Sequence, residues 1–161
     1  MNSLQYAISM EYDGEKYYAK QAELHKGTSL EPLFTHLAND ERRHAHIIED
    51  KFGGLPYELS ADSRITEFKN VFDGIPDYES EIQKMPKQLE LYQEALLREK
   101  ESIDLYKKMG AESINDKDKQ LFAFLVGQET LHYNFFESLI ALVSRPEDWV
   151  ESAEFGLRKE Y

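Results

Sequence analysis

The chain has 161 residues and a formal charge of −12, from 19 basic and 31 acidic side chains. Phosphate backbones and anionic membranes would repel such a surface, whereas cations would be drawn to it. Cysteine is absent, which excludes disulfides, thiolate-bound zinc and iron–sulfur clusters.

The length fits one domain, residues 1–161, with a core of its own. The start, "MNSLQYAISM", lacks a basic segment leading into an apolar one, and no apolar run reaches membrane-spanning length. A cytoplasmic protein with no nucleic-acid and no membrane partner is therefore expected.

Four segments show helical periodicity, and strand signals are nearly lacking. The first helix is predicted from about Leu4 to Lys26, stopped by Gly27. "TSLE" then reads as a capping box in which Glu31 answers Thr28, with Pro32 tolerated in the first turn. This second helix runs to about Lys51 and stops at Gly53-Gly54, completing a first hairpin over about 3–52. A crossover of about 53–85 follows, too rich in Tyr57, Phe68, Phe72 and Tyr78 for a disordered linker. A short helix is expected within it near Arg64 to Phe72. The second hairpin covers about 86–143, its helices running from near Pro86 to about Gly110 and, after a cap at Asn115 or Asp116, to about Val143. The tail "RPEDWVESAEFGLRKEY" predicts one more short helix at about 146–158, with Trp149 and Phe155 docked on the bundle or on a partner.

The two hairpins repeat each other at a shift of 88 residues. Ala7 meets Ala95, Glu11 meets Glu99 and Tyr18 meets Tyr106. Leu33, Phe34 and Leu37 meet Leu121, Phe122 and Leu125. Within this match "DERRH" aligns with "QETLH", so Glu41 and His44 have twins in Glu129 and His132. Both pairs lie on the stripe that each helix should bury. The midpoint of Glu11 and Glu41 is residue 26, and that of Glu99 and Glu129 is residue 114, each in a short loop. Residues equidistant from such a loop lie level across an antiparallel pair. Each hairpin therefore sets a glutamate level with a Glu-x-x-His whose two side chains share one face.

Two hairpins together place four carboxylates and two imidazoles at mid-height in an apolar core. Left empty, such a layer would cost many kcal/mol. Two divalent cations cancel four carboxylate charges with the histidines neutral, and this donor set suits iron or manganese better than structural zinc. The sequence thereby matches an arrangement already known from ferritin-like di-iron proteins and designed bundles, with glutamates on two helices and Glu-x-x-His on the other two. Tyr18 and Tyr106 follow their glutamates by two turns. Their equivalent placement predicts hydrogen bonds to ligand carboxylates on neighbouring helices. His46, two residues beyond His44, should face solvent; His36 falls off the stripe and His25 near the loop. Asp40, Glu15, Glu101 and Asp104 read as surface charges.

At "AISMEYDGEKYY", "LFTHLANDERRH", "ALLREKESIDLY" and "LFAFLVGQETLH" the sequence resembles the rubrerythrin branch of the ferritin-like superfamily. The resemblance covers all four helices, the crossover and the "RPEDWVESAEF" tail. It implies an all-α, left-handed four-helix bundle with a non-haem di-iron centre that reacts with peroxide or oxygen. Glu11, Glu41, His44, Glu99, Glu129 and His132 become metal ligands, and Tyr18 and Tyr106 support them. Iron is the expected metal, with manganese or a mixed pair as alternatives; haem, flavin and iron–sulfur clusters are not expected. Two departures stand out. Rubrerythrins carry a four-cysteine rubredoxin-like domain, which a sequence without cysteine cannot form. They also place a further carboxylate where this chain has Ser102, whose repeat partner is Gly14; these small residues leave room for peroxide or water.

The expected function is thus a di-iron oxidoreductase served by an external electron donor, such as a separate rubredoxin or a reductase. A homodimer is expected from the aromatic-rich crossover and tail. One alternative is a ferroxidase and iron-storage protein of ferritin or bacterioferritin type, which would assemble a hollow shell. Another is a structural or binding bundle with an inert metal.

Overall fold

The computed structural model describes residues 2–68 and 88–159, the side chains of 88 and 142–159 excepted. Helices α1 (Ser3–Leu24), α2 (Leu30–Phe52), α3 (Gln88–Glu112) and α4 (Asp116–Lys159) account for most of it, and no strand occurs among the described residues. The all-α, ferritin-like bundle expected from the sequence is the observed architecture.

Local sequence sets the helix ends. Asn2 caps α1 by accepting from the Gln5 N–H at 2.8 Å, while Gln5 Oε1 accepts from the Asn2 N–H at 3.3 Å. Gly27 takes a φ of +84°, a left-handed value that a β-carbon would strain, and so turns the chain between α1 and α2. The box expected at "TSLE" does not form: Ser29 takes the N-cap position with no side-chain cap. Glu31 reaches past Thr28 to accept from the Gly27 N–H at 2.7 Å, and Thr28 Oγ1 donates to the His25 carbonyl at 2.7 Å. The left-handed glycine brings its own N–H nearer to the carboxylate. Asn115 caps α4 by accepting from the Asp118 N–H at 2.8 Å.

Within each hairpin the helices pack along their length, and α1 also meets α3. Two apolar clusters give the directions. One holds Tyr18 from late α1, Leu33 and Phe34 from early α2, Tyr92 from early α3 and Phe136 from the middle of α4. The other holds Ala7, Ile48 and Tyr106, from the opposite halves of the first three helices, and Leu121 from the first turns of α4. Helices α1 and α4 thus run one way, α2 and α3 the other. Because α2 and α3 are parallel, their connection must return along the whole of α2, about 35 Å at 1.5 Å per residue. A tight turn cannot do that, which is why the crossover is long.

Residues 65–68 form a turn of helix where the sequence predicts one over 64–72, and Ile65 from it is buried in the first cluster. The rest of that prediction, and Tyr78, lie outside the described residues. Where a stop near Val143 and a separate helix at 146–158 are expected, α4 continues in one run to Lys159. Pro146 removes one N–H, but its fixed φ is a helical one, so the backbone can pass through it at a local cost. The docking expected of Trp149 and Phe155 falls on side chains outside those described.

Candidate metal centre

Between the two apolar clusters lies a polar layer. Glu11 comes from α1, Glu41 and His44 from α2, Glu99 from α3, and Glu129 and His132 from α4. All six are buried, none more than 4% exposed. Their placement follows from the level argument: each glutamate of α1 or α3 meets the Glu-x-x-His of its hairpin partner, and the hairpins face each other.

His44 Nδ1 lies 2.9 Å from Glu129 Oε1 and 3.6 Å from Glu11 Oε2. His132 Nδ1 lies 3.3 Å from Glu41 Oε1, 3.4 Å from Glu99 Oε1 and 3.6 Å from Glu129 Oε2. Two groups of potential ligand atoms result, each within 4.8 Å of one another: Glu11, Glu41, His44 and Glu129, and Glu41, Glu99, Glu129 and His132. Glu41 and Glu129 belong to both, while Glu11 with His44 and Glu99 with His132 each belong to one.

The donors are under-satisfied. Glu11 Oε2, Glu41 Oε1, Glu99 Oε2, Glu129 Oε2 and His132 Nδ1 have no hydrogen-bond partner among the described residues. Buried acceptors left in that state are costly, and a cation is the partner that several converging carboxylates can share. Two divalent cations fit this set in charge, donor type and number of groups.

Without metal, protons must do the balancing. Burial, then Glu129, pushes the Glu11 carboxyl up from its ordinary range. Burial, then Glu11 and Glu129, pushes Glu41 well above it. Burial alone would lower the His44 imidazole, but Glu129 and Glu11 raise it well above normal. At His132 burial is likewise outweighed, by Glu99 and Asp40.

Two tyrosines cross between hairpins to reach the layer. Tyr18 Oη donates to Glu99 Oε1 at 2.7 Å, and Tyr106 Oη donates to Glu11 Oε1 at 2.5 Å. Burial and the adjacent carboxylate push both phenols well above their usual range, so both are neutral donors at neutral pH. Their rings are held by stacking, Tyr18 on Phe34 and Phe136, and Tyr106 on Phe122.

One residue departs from its sequence reading. Asp40, expected at the surface, is buried, and its Oδ2 accepts from His132 Nε2 at 2.9 Å. Burial would raise its carboxyl, but His132 and His36 hold it well below the usual range. His36 Nε2 lies 3.2 Å from the same oxygen, and Arg43 Nη2 lies 3.6 Å from Oδ1. The repeat does not single it out: "DERRH" departs from "QETLH" at Asp40, Arg42 and Arg43 alike, and Arg42 is exposed. A third group of ligand-type atoms, His36, Asp40 and Asp62, is already compensated by His132, Arg43 and Arg64. Of the remaining residues, His46, Glu101 and Asp104 are exposed, and Glu15 pairs with Arg42 at 3.0 Å. His25 is buried at the end of α1, its Nδ1 2.7 Å from the Gln21 carbonyl.

A cavity of about 180 Å³ opens between α1 and α3 and reaches the layer. Gly14, Tyr18, Arg98 and Ser102 line it together with Glu41 and Glu99. A β-carbon at residue 14 would stand 3.1 Å from Glu41 Oε2, so glycine lets α1 approach that carboxylate. The space exceeds several times the roughly 30 Å³ that a water occupies. No helix among the described residues is long and apolar enough to cross a membrane.

The family model described as Rubrerythrin matches residues 2–140. No curated protein and no solved structure matches the chain.

Proposed function

The chain belongs to the rubrerythrin family, and from that premise we propose that it is a non-haem di-iron oxidoreductase reducing hydrogen peroxide or oxygen. The observation that supports this most is the buried layer of four glutamates and two histidines, whose unpartnered atoms converge as two groups sharing Glu41 and Glu129. In this reading Glu41 and Glu129 serve both metal positions, Glu11 and His44 one, and Glu99 and His132 the other. When bound, an iron pair supplies two electrons; with two protons these convert one peroxide to two waters, and an external donor then restores the irons.

The chain's own part is binding, orientation and exclusion of water. Tyr106 and Tyr18 fix one oxygen each of Glu11 and Glu99, leaving the other oxygen for metal. The clusters around Phe34 and Phe136 on one side and Leu121 and Phe122 on the other keep the layer dry except at the cavity. Gly14 and Ser102 leave that opening wide enough for a small oxidant. Tyr18 lines it, its hydroxyl keeping the proton that it donates to Glu99 and could donate to an arriving oxygen atom. These 161 residues hold no cysteine and so form no thiolate-bound iron site themselves, and in this reading an external donor supplies the electrons.

Anaerobic loading with Fe(II), followed by peroxide, tests the reading. The expected result, read by absorbance, is oxidation of two irons per chain with one peroxide consumed. No spectral change at two irons per chain would overturn it.

A further inference from the structure

The sequence repeat gives each half of the metal layer equivalent glutamates, histidines and tyrosines, but the residues behind the histidines differ. His132 Nε2 lies 2.9 Å from the Asp40 carboxylate oxygen Oδ2. By the 88-residue shift the residue equivalent to Asp40 is Gln128, and the symmetric contact would run from Gln128 to His44. It is not made. Gln128 Oε1 instead accepts from Arg43 Nη2 at 3.0 Å and from the Asp62 N–H at 3.3 Å. His44 Nε2 has no hydrogen-bond partner among the described residues. The repeat also breaks at Arg43, whose equivalent is Leu131, so only one hairpin supplies the cation that draws Gln128 away.

From this we infer that the two metal positions are unequal, the position of Glu99 and His132 binding first and more tightly than that of Glu11 and His44. The inference rests on the dimetal reading and adds an order of filling to it. A carboxylate behind a ligating imidazole fixes the ring and its tautomer and makes the facing nitrogen a better donor; its loss typically costs 10–100-fold in metal affinity. Asp40 orients the His132 ring so that Nδ1 faces Glu41, Glu99 and Glu129. His44 turns its Nδ1 to Glu129, and no described residue hydrogen-bonds the far side of the ring. The tyrosines do not offset this difference, because each half has one. Asp40 is thus a positioning residue, acting through His132.

Metal-free protein crystallised with one molar equivalent of Mn(II) tests the order, read from anomalous density and needing neither turnover nor oxidant. The expected occupancy beside Glu99 and His132 exceeds that beside Glu11 and His44 by about 10-fold or more. In Asp40→Asn, which keeps the shape and an acceptor oxygen but not the charge, the ratio should fall to within about threefold of one, since the charge carries most of the effect. Equal occupancy in the unaltered protein, or preference for the His44 side, would overturn the order alone. An unchanged ratio in Asp40→Asn would overturn the assignment to Asp40. Manganese at neither position would overturn the order together with the dimetal reading beneath it.

Discussion

Replacing Tyr106 by phenylalanine removes one oxygen from the centre of the bundle and nothing else. The ring is fully buried and stacked on Phe122 at 6.2 Å between centroids, so its packing should survive. What is lost is the donor to Glu11 Oε1, on a carboxylate whose other oxygen has no hydrogen-bond partner among the described residues. Hydrogen bonds of this type contribute about 1–3 kcal/mol, the upper part of that range applying when the carboxylate is ionised. In a domain of this size each kcal/mol moves the midpoint by about 2–4 °C. Metal-free Tyr106→Phe should therefore melt about 2–12 °C lower, and Tyr17→Phe is the control, because the Tyr17 hydroxyl has no partner among the described residues. Circular dichroism melts and urea titrations measure this, with Glu11→Gln and the double variant completing a thermodynamic cycle. A coupling energy of about 1 kcal/mol or more is expected between residues in such direct contact. Coupling near zero, or a Tyr17→Phe loss as large, would refute the reasoning.

Gly14→Ala should separate binding from folding. Alanine favours the helix by about 1 kcal/mol, but its β-carbon would press on Glu41 Oε2 at 3.1 Å. Metal-free stability should stay within about 1 kcal/mol while Mn(II) affinity, measured by calorimetry, falls about 10-fold, as for a displaced ligand support; unaltered affinity would contradict the role given to Glu41. A second expectation concerns pH. In the metal-free fold, burial and neighbouring carboxylates lift Glu11 and Glu41 above their ordinary 4.5, and carboxylates outweigh burial to lift His44 and His132 above 6.5. The folded chain therefore binds more protons than the unfolded one, so its stability should fall as pH rises, through the glutamates above about 4.5 and through the histidines also above about 6.5. Asp40, held below its ordinary 3.8 against burial by His132 and His36, adds the opposite slope only in stronger acid. Melting temperatures of chelator-treated protein from pH 5 to 8 should decline, and a flat or rising profile would contradict the charge balance.

The six acidic and imidazole positions are legible in the sequence because they interrupt an apolar stripe, and do so twice at one spacing. A single Glu41 in such a stripe carries little; Glu129 and His132 at the same shift make the interruption a pattern. Tyr18 and Tyr106 are legible for the same reason, and the structure brings each to a carboxylate of the opposite hairpin. Asp40 is not legible. It sits beside the stripe on α2, and its burial is created by His36, Arg43 and His132, a meeting of α2 with α4 that no helical period encodes. Repeat logic works against it, since its partner Gln128 is neutral and turns to Arg43. That Glu31 accepts from the Gly27 N–H, and no capping box with Thr28 forms, goes with the left-handed turn at Gly27, a detail finer than the capping pattern itself. The length of α4 escapes a sequence reading because proline is taken as a stop, although its φ is helical.

The central claim is that the buried glutamates and histidines hold two metal ions. Equilibrium dialysis of the metal-free chain against Fe(II) under anaerobic conditions, with elemental analysis, tests it most directly, and Glu41→Ala serves as the control because Glu41 belongs to both ligand groups. The account predicts two ions per chain in the unaltered protein and loss of tight binding at both positions in the variant. Fewer than two ions, or a full complement retained without Glu41, would contradict it.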